Sequence, residues 1–282
     1  MEYGEKYLTY KGKTVFSKLT KPYFKRYPKD YVENEACFVF VNEGEMAVRA
    51  PEVYFDLNKE TAVLAKCMNY FFEAFHVQKP KGTGVEVIVV LLYPSFVEEL
   101  FDFDLSLSAY NLPVDIKQVK VDRLLKNYKE SINILLDNPE LADENIIKAK
   151  LKEFVILLTK SQKFPSKLDF LAGLFSPANV SFKETINQNL YANLTLEELA
   201  HLCNMSLSTF KRKFKNVFND SPKKYIVTKK LEKAATMLKS EGLRVSDVAY
   251  KVGFDSISTF NRNFVLKYGK TPSEYRLSYS EK

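Results

Sequence analysis

Two segments of this chain place hydrogen-bonding and cationic side chains along one face of a helix. The first set has the spacing i, i+3, i+4 and i+7 and consists of Ser208, Lys211, Arg212 and Lys215. The second set lies about fifty residues later and consists of Ile257, Ser258, Asn261 and Arg262. Arginine can donate two hydrogen bonds to a guanine edge and asparagine can pair with an adenine edge, which discriminates bases by ~1–3 kcal/mol. These residue types at this spacing predict two helices whose outer faces contact the major groove of DNA.

The two sets belong to an internal repeat. Residues 206–225 have the sequence SLSTFKRKFKNVFNDSPKKY, and residues 256–275 have the sequence SISTFNRNFVLKYGKTPSEY. A repeat of this length is typical of one structural unit that is built twice. The side chains predicted to be buried opposite the polar sets are Phe210, Phe214, Phe260 and Phe264.

The residues before each polar set predict a helix, a tight turn and a second helix. Thr195 and Glu198 have the spacing of a capping box, in which each side chain accepts from the other residue's backbone N–H. Asn204 suits a left-handed turn, and Ser206 is predicted to cap the following helix. The second copy has Gly253 in a turn that is one residue longer.

A connecting helix is predicted between the two copies. It begins at Pro222, and its apolar stripe consists of Val227, Leu231, Ala234, Ala235 and Leu238. One rigid helix would hold the two outer faces at a fixed geometry. Because the copies run head to tail, we expect them to contact two successive major-groove faces about 34 Å apart.

The charge of the chain is concentrated in its last hundred residues. Residues 183–282 contain 18 Lys or Arg residues and 10 Asp or Glu residues. Residues 1–182 contain 24 Lys or Arg residues and 25 Asp or Glu residues. This imbalance favours a region that binds a polyanion, attached to an electroneutral sensor or docking region. Residues 1–20 are mostly polar and charged and no apolar run is long enough to span a membrane, so we expect neither a signal peptide nor a membrane-spanning segment. Cys37, Cys67 and Cys203 have no paired spacing. We therefore expect a cytoplasmic protein with reduced thiols.

The first 115 residues are predicted to be rich in β-strands. The predicted strands cover residues 38–41, 45–49, 53–57, 61–65 and 85–92. Turn residues at 42–44 predict that the first two strands form a hairpin, which the next two continue as a meander. Short antiparallel strands at this spacing are typical of a small barrel or sandwich. His76 is predicted to be a packing or surface residue rather than a metal ligand, and His201 is predicted to be a residue at the solvent edge of a helix.

After about residue 115 the hydrophobic period becomes that of helices. The two apolar stripes consist of Val121, Leu124, Leu125, Tyr128, Ile132 and Leu135, and of Ile146, Ile147, Leu151, Phe154, Val155 and Leu158. These helices could pair across a dimer or pack on the strands of their own chain. Residues 162–180 are predicted to be a linker because they contain Pro165, Gly173 and Pro177, although their Phe and Leu residues predict that the segment packs.

The motifs of the repeat are more specific than its periodicity. The first copy carries Leu199-Ala200, Ser206, Phe210-Lys-Arg212-Lys-Phe214, Ser221-Pro222 and Tyr225-Ile226. The second copy carries Val248-Ala249, Val252-Gly253-Phe254, Phe260-Asn-Arg262-Asn-Phe264, Tyr268-Gly269 and Thr271-Pro272-Ser273-Glu274-Tyr275-Arg276. These residues resemble the AraC/XylS family of transcription regulators over residues 183–281. Two positions depart from that family: Asn219 stands in place of the usual Gly, and Lys230 stands in place of the usual Arg.

The resemblance implies two helix-turn-helix subdomains, joined by one helix and bound to promoter DNA in adjacent major grooves. It also implies a bacterial origin and activation of transcription through contact with RNA polymerase. The front half resembles the cupin-like regulatory domains of this family in outline, and most the branch in which a protein partner controls the regulator.

Together these observations predict an α+β fold in three parts. Residues 1–115 are expected to form a β-rich, cupin-like regulatory domain, residues 116–180 a helical linker or dimerisation segment, and residues 183–281 an all-α DNA-binding domain. The expected partners are double-stranded promoter DNA, RNA polymerase, a second copy of the chain and an unidentified small-molecule or protein effector. No cofactor, metal or catalytic residue is expected.

Within the repeat, we expect Lys211, Arg212, Asn261 and Arg262 to contact bases. We expect Ser206, Lys213 and Lys215 to lie nearer the DNA backbone. Two alternatives are a protein-binding adaptor and a cupin-type enzyme with a helical tail. An adaptor should present apolar outer residues, of which Ile257 is the only example, and an enzyme should show paired carboxylates or a histidine cluster in residues 1–115, which the sequence lacks.

Overall fold

The computed structural model describes residues 4–29, 35–66, 68–74, 84–110, 112, 115–160, 166–176, 181–240 and 242–280. His76 and Cys67, for which the sequence makes predictions, lie outside the described residues. The chain divides into two compact units, Met1–Asn179 and Val180–Lys282. The first contains β-sheets with helices and the second is helical, so the predicted α+β fold is confirmed. No helix in the described part is long and apolar enough to cross a membrane.

The first unit is built on two antiparallel sheets. Its described strands are β1 (Gly4–Tyr10), β2 (Lys13–Pro22), β3 (Phe24–Lys29), β4 (Ala36–Glu43), β5 (Met46–Arg49), β6 (Tyr54–Leu57), β7 (Thr61–Ala65), β8 (Tyr70–Ala74), β9 (Gly84–Leu92) and β10 (Ile116–Lys120). One sheet has the strand order β1-β2-β9-β4-β7-β10, and the other has the order β3-β8-β5-β6.

The predicted hairpin between β4 and β5 is wrong. Both strands form, but β4 pairs with β9 and β7 in one sheet, whereas β5 pairs with β6 and β8 in the other. The turn at Gly44 is therefore a corner at which the chain passes between the sheets. Gly44 has a φ of 80°, and a Cβ there would lie 2.6 Å from the carbonyl oxygen of Gly84. The predicted meander is broken again between β6 and β7, which also belong to different sheets.

Strand β4 is buried on both faces, which explains its continuous apolar sequence. On one face the Cys37 thiol lies 2.9 Å from the hydroxyl of Tyr70 in the other sheet. On the opposite face the ring centroid of Phe38 lies 5.2 Å from that of Phe154, which belongs to a helix. The six-stranded sheet thus stands between the second sheet and a layer of helices.

The described α-helices of the first unit are α1 (Pro94–Phe101), α2 (Arg123–Asp137), α3 (Glu144–Lys160) and α4 (Lys167–Phe175). The buried side chains of α2, α3 and α4 belong to the same core as those of β1, β2 and β4. The apolar stripes of α2 and α3 therefore pack on strands of their own chain. Two residues of the predicted stripes are exposed, Leu124 by 60% and Ile146 by 39%, because each lies one position before a residue that is buried. Helix α4 lies in the predicted linker and packs into this core through Phe170, Leu171 and Leu174.

The described helices of the second unit are α5 (Phe182–Asn189), α6 (Leu196–Leu202), α7 (Leu207–Phe218), α8 (Pro222–Ser240), α9 (Val245–Lys251), α10 (Ile257–Tyr268) and α11 (Pro272–Ser280). They enclose two small cores. Helices α5, α6 and α7 surround the first, and α8 to α11 surround the second. Helix α8 contributes Tyr225 and Ile226 to the first core and Leu231, Ala234 and Leu238 to the second. It is therefore the connecting helix that the sequence predicts.

Candidate nucleic-acid interface

Local hydrogen bonds set the ends of the first helix-turn-helix, which consists of α6, a turn and α7. The predicted capping box is present, since Thr195 Oγ1 accepts from the Glu198 N–H at 3.1 Å and Glu198 Oε2 accepts from the Thr195 N–H at 2.7 Å. Asn204 adopts the left-handed conformation with a φ of 52°. Ser206 Oγ then accepts from the Thr209 N–H at 3.3 Å and caps α7. The predicted caps and turn are therefore confirmed.

Helices α9 and α10 repeat this geometry with a longer turn. Gly253 has a φ of 85° at the position that Asn204 holds in the first copy. Ser256 Oγ accepts from the Thr259 N–H at 3.2 Å and caps α10. Four residues separate α6 from α7, whereas five separate α9 from α10. The added residue is Asp255, which precedes the cap.

The outer face of α7 is polar and cationic. The residues exposed on it are Ser208, Lys211, Arg212 and Lys215, as the sequence predicts. Phe210 and Phe214 on the other side are completely buried and pack on Phe182 of α5. Lys213 is half-buried, with its Nζ 5.0 Å from the ring centroid of Phe182. Phe182 therefore supports both the buried side and one flank of α7.

The outer face of α10 is less cationic than that of α7. Ile257, Ser258 and Arg262 are exposed, but Asn261 is half-buried. The side-chain oxygen of Asn261 is shielded from solvent and has no hydrogen-bond partner among the described residues. Asn261 therefore does not have the outward position expected from the sequence, because its short side chain keeps the amide close to the helix surface. A shielded amide oxygen without a described partner is unusual in a folded protein.

The register of the repeat shows where the two outer faces differ in charge. In this register Lys211 corresponds to Asn261, and Lys215 corresponds to Val265. Val265 is 39% exposed. The next lysine of α10, Lys267, donates to Glu232 of α8 at 3.0 Å and is partly neutralised there. The cationic surface is therefore concentrated on α7.

Two titratable groups beneath these helices have shifted pKa values. Burial raises the pKa of the Cys203 thiol to about 12, so the thiol stays protonated at neutral pH and is not a nucleophile. Burial also lowers the pKa of Lys230, whose Nζ donates to the carbonyl oxygen of Gly253 at 2.6 Å. Both groups belong to the structural support of the helices.

Helix α5, which precedes the first helix-turn-helix, is not among the helices predicted from the sequence. Ser181 Oγ accepts from the Glu184 N–H at 3.3 Å and caps this helix, and Phe182 and Ile186 enter the first core. The spacing Ser181-x-x-Glu184 is a helix-start signal that could have found it.

Two family descriptions match the chain. The helix-turn-helix domain matches residues 199–278, and the ExsA N-terminal regulatory domain matches residues 36–170. The virulence regulon transcriptional activator VirF of Yersinia enterocolitica is 27% identical over 129 residues, which cover 46% of this chain and 48% of VirF. The RCS-specific activator RclR of Escherichia coli is 38% identical over 82 residues, which cover 29% of each chain. The chain thus spans about half the length of VirF and less than a third of RclR.

Among solved structures, ToxT of Vibrio cholerae is 14% identical, with a TM-score of 0.39, over 93% of this chain and 98% of ToxT. The geometry of the second unit defines the class of protein: it is a double helix-turn-helix domain. The ExsA-type match in the first unit and the helix-turn-helix match in the second agree with the resemblance to the AraC/XylS family of transcription regulators that the motifs of both copies carry.

Proposed function

We propose that this chain is a sequence-specific DNA-binding transcription regulator that activates its target promoters. The observation that carries the proposal is the pair of capped helices α7 and α10, each anchored by two buried phenylalanines and each presenting hydrogen-bonding side chains outward. A helix of this kind fits the major groove. The matches to proteins named as activators, VirF and RclR, support activation rather than repression.

In the first copy, α7 supplies both base recognition and attachment to the phosphates. Arg212 and Lys211 contact base edges, where a bidentate arginine selects guanine. Ser206, Ser208 and Lys215 contact the DNA backbone and fix the position of the helix. Lys213, which lies over Phe182, contributes positive charge at the flank of the interface.

In the second copy, α10 contributes mainly recognition. Arg262 contacts a base edge, Asn261 does so once its side chain rotates the shielded oxygen outward, and Ser258 donates or accepts a hydrogen bond nearby. Ile257 makes an apolar contact, for which the methyl group of thymine is the matching feature of the groove. Because the two outer faces differ, the chain recognises a non-palindromic site.

The first unit regulates this activity. The match of residues 36–170 to a regulatory domain supports a unit that responds to a small-molecule or protein effector. We further propose that the protein acts in the cytoplasm, forms a homodimer and contacts RNA polymerase at the promoter. The domain boundaries proposed for these roles are 1–115 for effector response, 116–180 for dimerisation and 183–281 for DNA binding.

Selection of DNA by the full-length chain tests this function. The chain should enrich one sequence motif from a pool of random duplexes, and affinity for that motif should fall by ~1–3 kcal/mol in Arg212→Ala and in Arg262→Ala. Each variant should lose preference at one base position. Arg123→Ala removes an exposed arginine from the first unit and should leave affinity unchanged. The proposal fails if both interface variants bind the motif as tightly as the Arg123→Ala control.

A further inference from the structure

The two helix-turn-helix copies touch each other directly, in addition to their connection through α8. Asn193, in the loop before α6, donates a hydrogen bond from its side-chain Nδ2 to Oδ1 of Asp255, in the turn before α10. The two residues lie 62 positions apart in the sequence. Asn193 adopts the left-handed conformation with a φ of 52°, which turns this loop before the cap at Thr195.

A buried lysine lies beneath this contact. Lys230 of α8 is only 8% exposed, and its Nζ donates to the carbonyl oxygen of Gly253 at 2.6 Å. The carbonyl oxygen of Tyr191 approaches the same glycine so closely that a Cβ at position 253 would lie 2.7 Å from it. The Nζ of Lys233, which also belongs to α8, lies 3.9 Å from the ring centroid of Tyr191. We call Tyr191, Asn193, Lys230, Gly253 and Asp255 the inter-copy junction.

The residue that breaks the symmetry of the repeat is the one that makes this contact. The two turns have the same backbone hydrogen bonds as far as Met205 in the first copy and Phe254 in the second. The Met205 N–H donates to the carbonyl oxygen of Ala200, and the Phe254 N–H donates to that of Ala249. The first copy then continues directly into the cap of α7, whereas the second copy inserts Asp255 before the cap of α10. The function proposed above leaves this extra residue unexplained.

The inter-copy junction holds the N-terminal end of α10, where the direction of the helix is set. Asp255 lies immediately before Ser256, the residue that caps α10. Helix α8 packs apolar side chains into the first core near its start, through Tyr225 and Ile226, and a second point of attachment further along the helix fixes rotation about that end. The loop of Tyr191 and Asn193 supplies this second point.

We propose that the inter-copy junction fixes the orientation of α10 relative to α7 and thereby sets the spacing between the two DNA boxes that one chain accepts. This inference rests on the proposed function. One added base pair moves a box by ~3.4 Å along the duplex and rotates it by roughly a tenth of a turn. Two recognition helices held at a fixed orientation accept one spacing and reject its neighbours, whereas two loosely joined helices accept several.

A spacing series measures this directly. The probe is the duplex that the full-length chain enriches from a random pool, rebuilt with one or two base pairs added or removed between its boxes. We expect the wild-type chain to lose affinity by about 10-fold for each one-base-pair change, the order of a mismatched base. Asn193→Asp, which places two carboxylates together, and Asp255→Ala, which removes the acceptor, should each flatten this profile to less than about 3-fold.

The double variant Asn193→Asp/Asp255→Asn restores a donor and an acceptor with their positions exchanged, so it should recover the wild-type profile. Asp247→Asn is the matched control, because it neutralises another exposed acid of the second copy, whose described side-chain contact is with the adjacent Ser246. A duplex with only the box of α7 should be bound equally by all variants, which verifies that the first copy is folded and active.

The inference is overturned if the wild-type chain tolerates all spacings equally. It is also overturned if Asn193→Asp and Asp255→Ala keep the wild-type profile, or if the double variant behaves like the single ones. If the full-length chain enriches no sequence from the random pool, the proposed function itself fails and the inference falls with it.

Discussion

Lys230 Nζ donates to the carbonyl oxygen of Gly253 across 2.6 Å, from the buried side of α8. Gly253 is therefore enclosed by the lysine and by the carbonyl oxygen of Tyr191, in addition to having a φ of 85°. Gly269, which ends α10, has a similar φ of 69°, but no atom of the described residues lies within 4 Å of a Cβ built there. A comparison of substitutions at the two glycines therefore distinguishes the energetic cost of a left-handed conformation from the energetic cost of close packing.

Alanine substitutions at these two positions should destabilise the second unit by different amounts. Gly269→Ala should cost ~1–2 kcal/mol, the penalty of a left-handed conformation for a residue with a Cβ. Gly253→Ala should cost a further ~1–3 kcal/mol, because the added methyl group overlaps the Tyr191 carbonyl. Urea denaturation followed by circular dichroism measures both free energies of unfolding. Equal losses in the two variants would contradict the close packing described here.

Features that depend on neighbouring residues were predictable from the sequence. The capping box of Thr195 and Glu198, the turn at Asn204 and the cap at Ser206 each involve contacts within four residues. The left-handed ends of α7 at Asn219 and of α10 at Gly269 follow from residue type in the same way. Periodicity predicted which side of α7 and α10 is buried, since the phenylalanines recur at helical spacing.

Features that depend on distant partners were not predictable. The pattern of β4 and β5 indicates two strands, but it carries no information on which strand pairs with which, and both find partners elsewhere. The extra residue Asp255 was visible in the repeat, yet its partner Asn193 precedes it by 62 residues. The half-buried position of Asn261 likewise depends on the packing around α10.

The two copies should contribute unequally to the salt dependence of DNA binding. Each phosphate contact by a lysine releases counterions and adds about 0.9 to the slope of log affinity against log salt concentration. Lys215→Ala should therefore lower the slope by about 1, whereas Val265→Ala at the matching position of α10 should leave it unchanged. Titrations of the selected duplex from 50 to 300 mM salt, roughly the range over which such slopes are measured, give both values. An unchanged slope in Lys215→Ala would exclude a phosphate contact by this residue.

The first unit should lose stability on acidification through one exposed carboxylate. Glu99 of α1 accepts hydrogen bonds from Lys11 at 2.7 Å, Tyr10 at 2.8 Å and Lys148 at 3.1 Å, and it thereby joins α1 to the β1–β2 turn and to α3. The hydrogen bond from Lys11, followed by those from Tyr10 and Lys148, lowers the pKa of Glu99 from 4.5 to about 2. A carboxylate whose pKa is lower in the folded state stabilises the fold above its unfolded pKa, and this stability is lost as the pH falls towards the folded pKa.

The window for this loss is therefore pH 4.5 down to about 2. Glu99→Gln should lower stability at pH 6 and should remove the part of the acid-induced decrease that Glu99 causes. Urea denaturation of the full chain at several pH values measures this difference between variant and wild type. Glu140→Gln, which changes an exposed acid with no described salt bridge, is the control. A wild-type pH dependence in Glu99→Gln would show that other groups cause the decrease.

Asn261 should contribute to DNA recognition but not to stability. Its side-chain oxygen is shielded and has no hydrogen-bond partner among the described residues, so removing it leaves no native partner unsatisfied. Asn261→Ala should change the free energy of unfolding by less than about 1 kcal/mol, yet it should reduce discrimination at one base pair by ~1–3 kcal/mol. Asn263 on the same helix donates to the Thr259 carbonyl oxygen at 2.7 Å, so Asn263→Ala is the control and should keep the base preference. Binding to duplexes carrying each base at the affected position separates the two outcomes. If Asn261→Ala keeps the wild-type preference at every position, the asparagine does not contact a base, because loss of a bidentate contact must appear as relaxed selectivity.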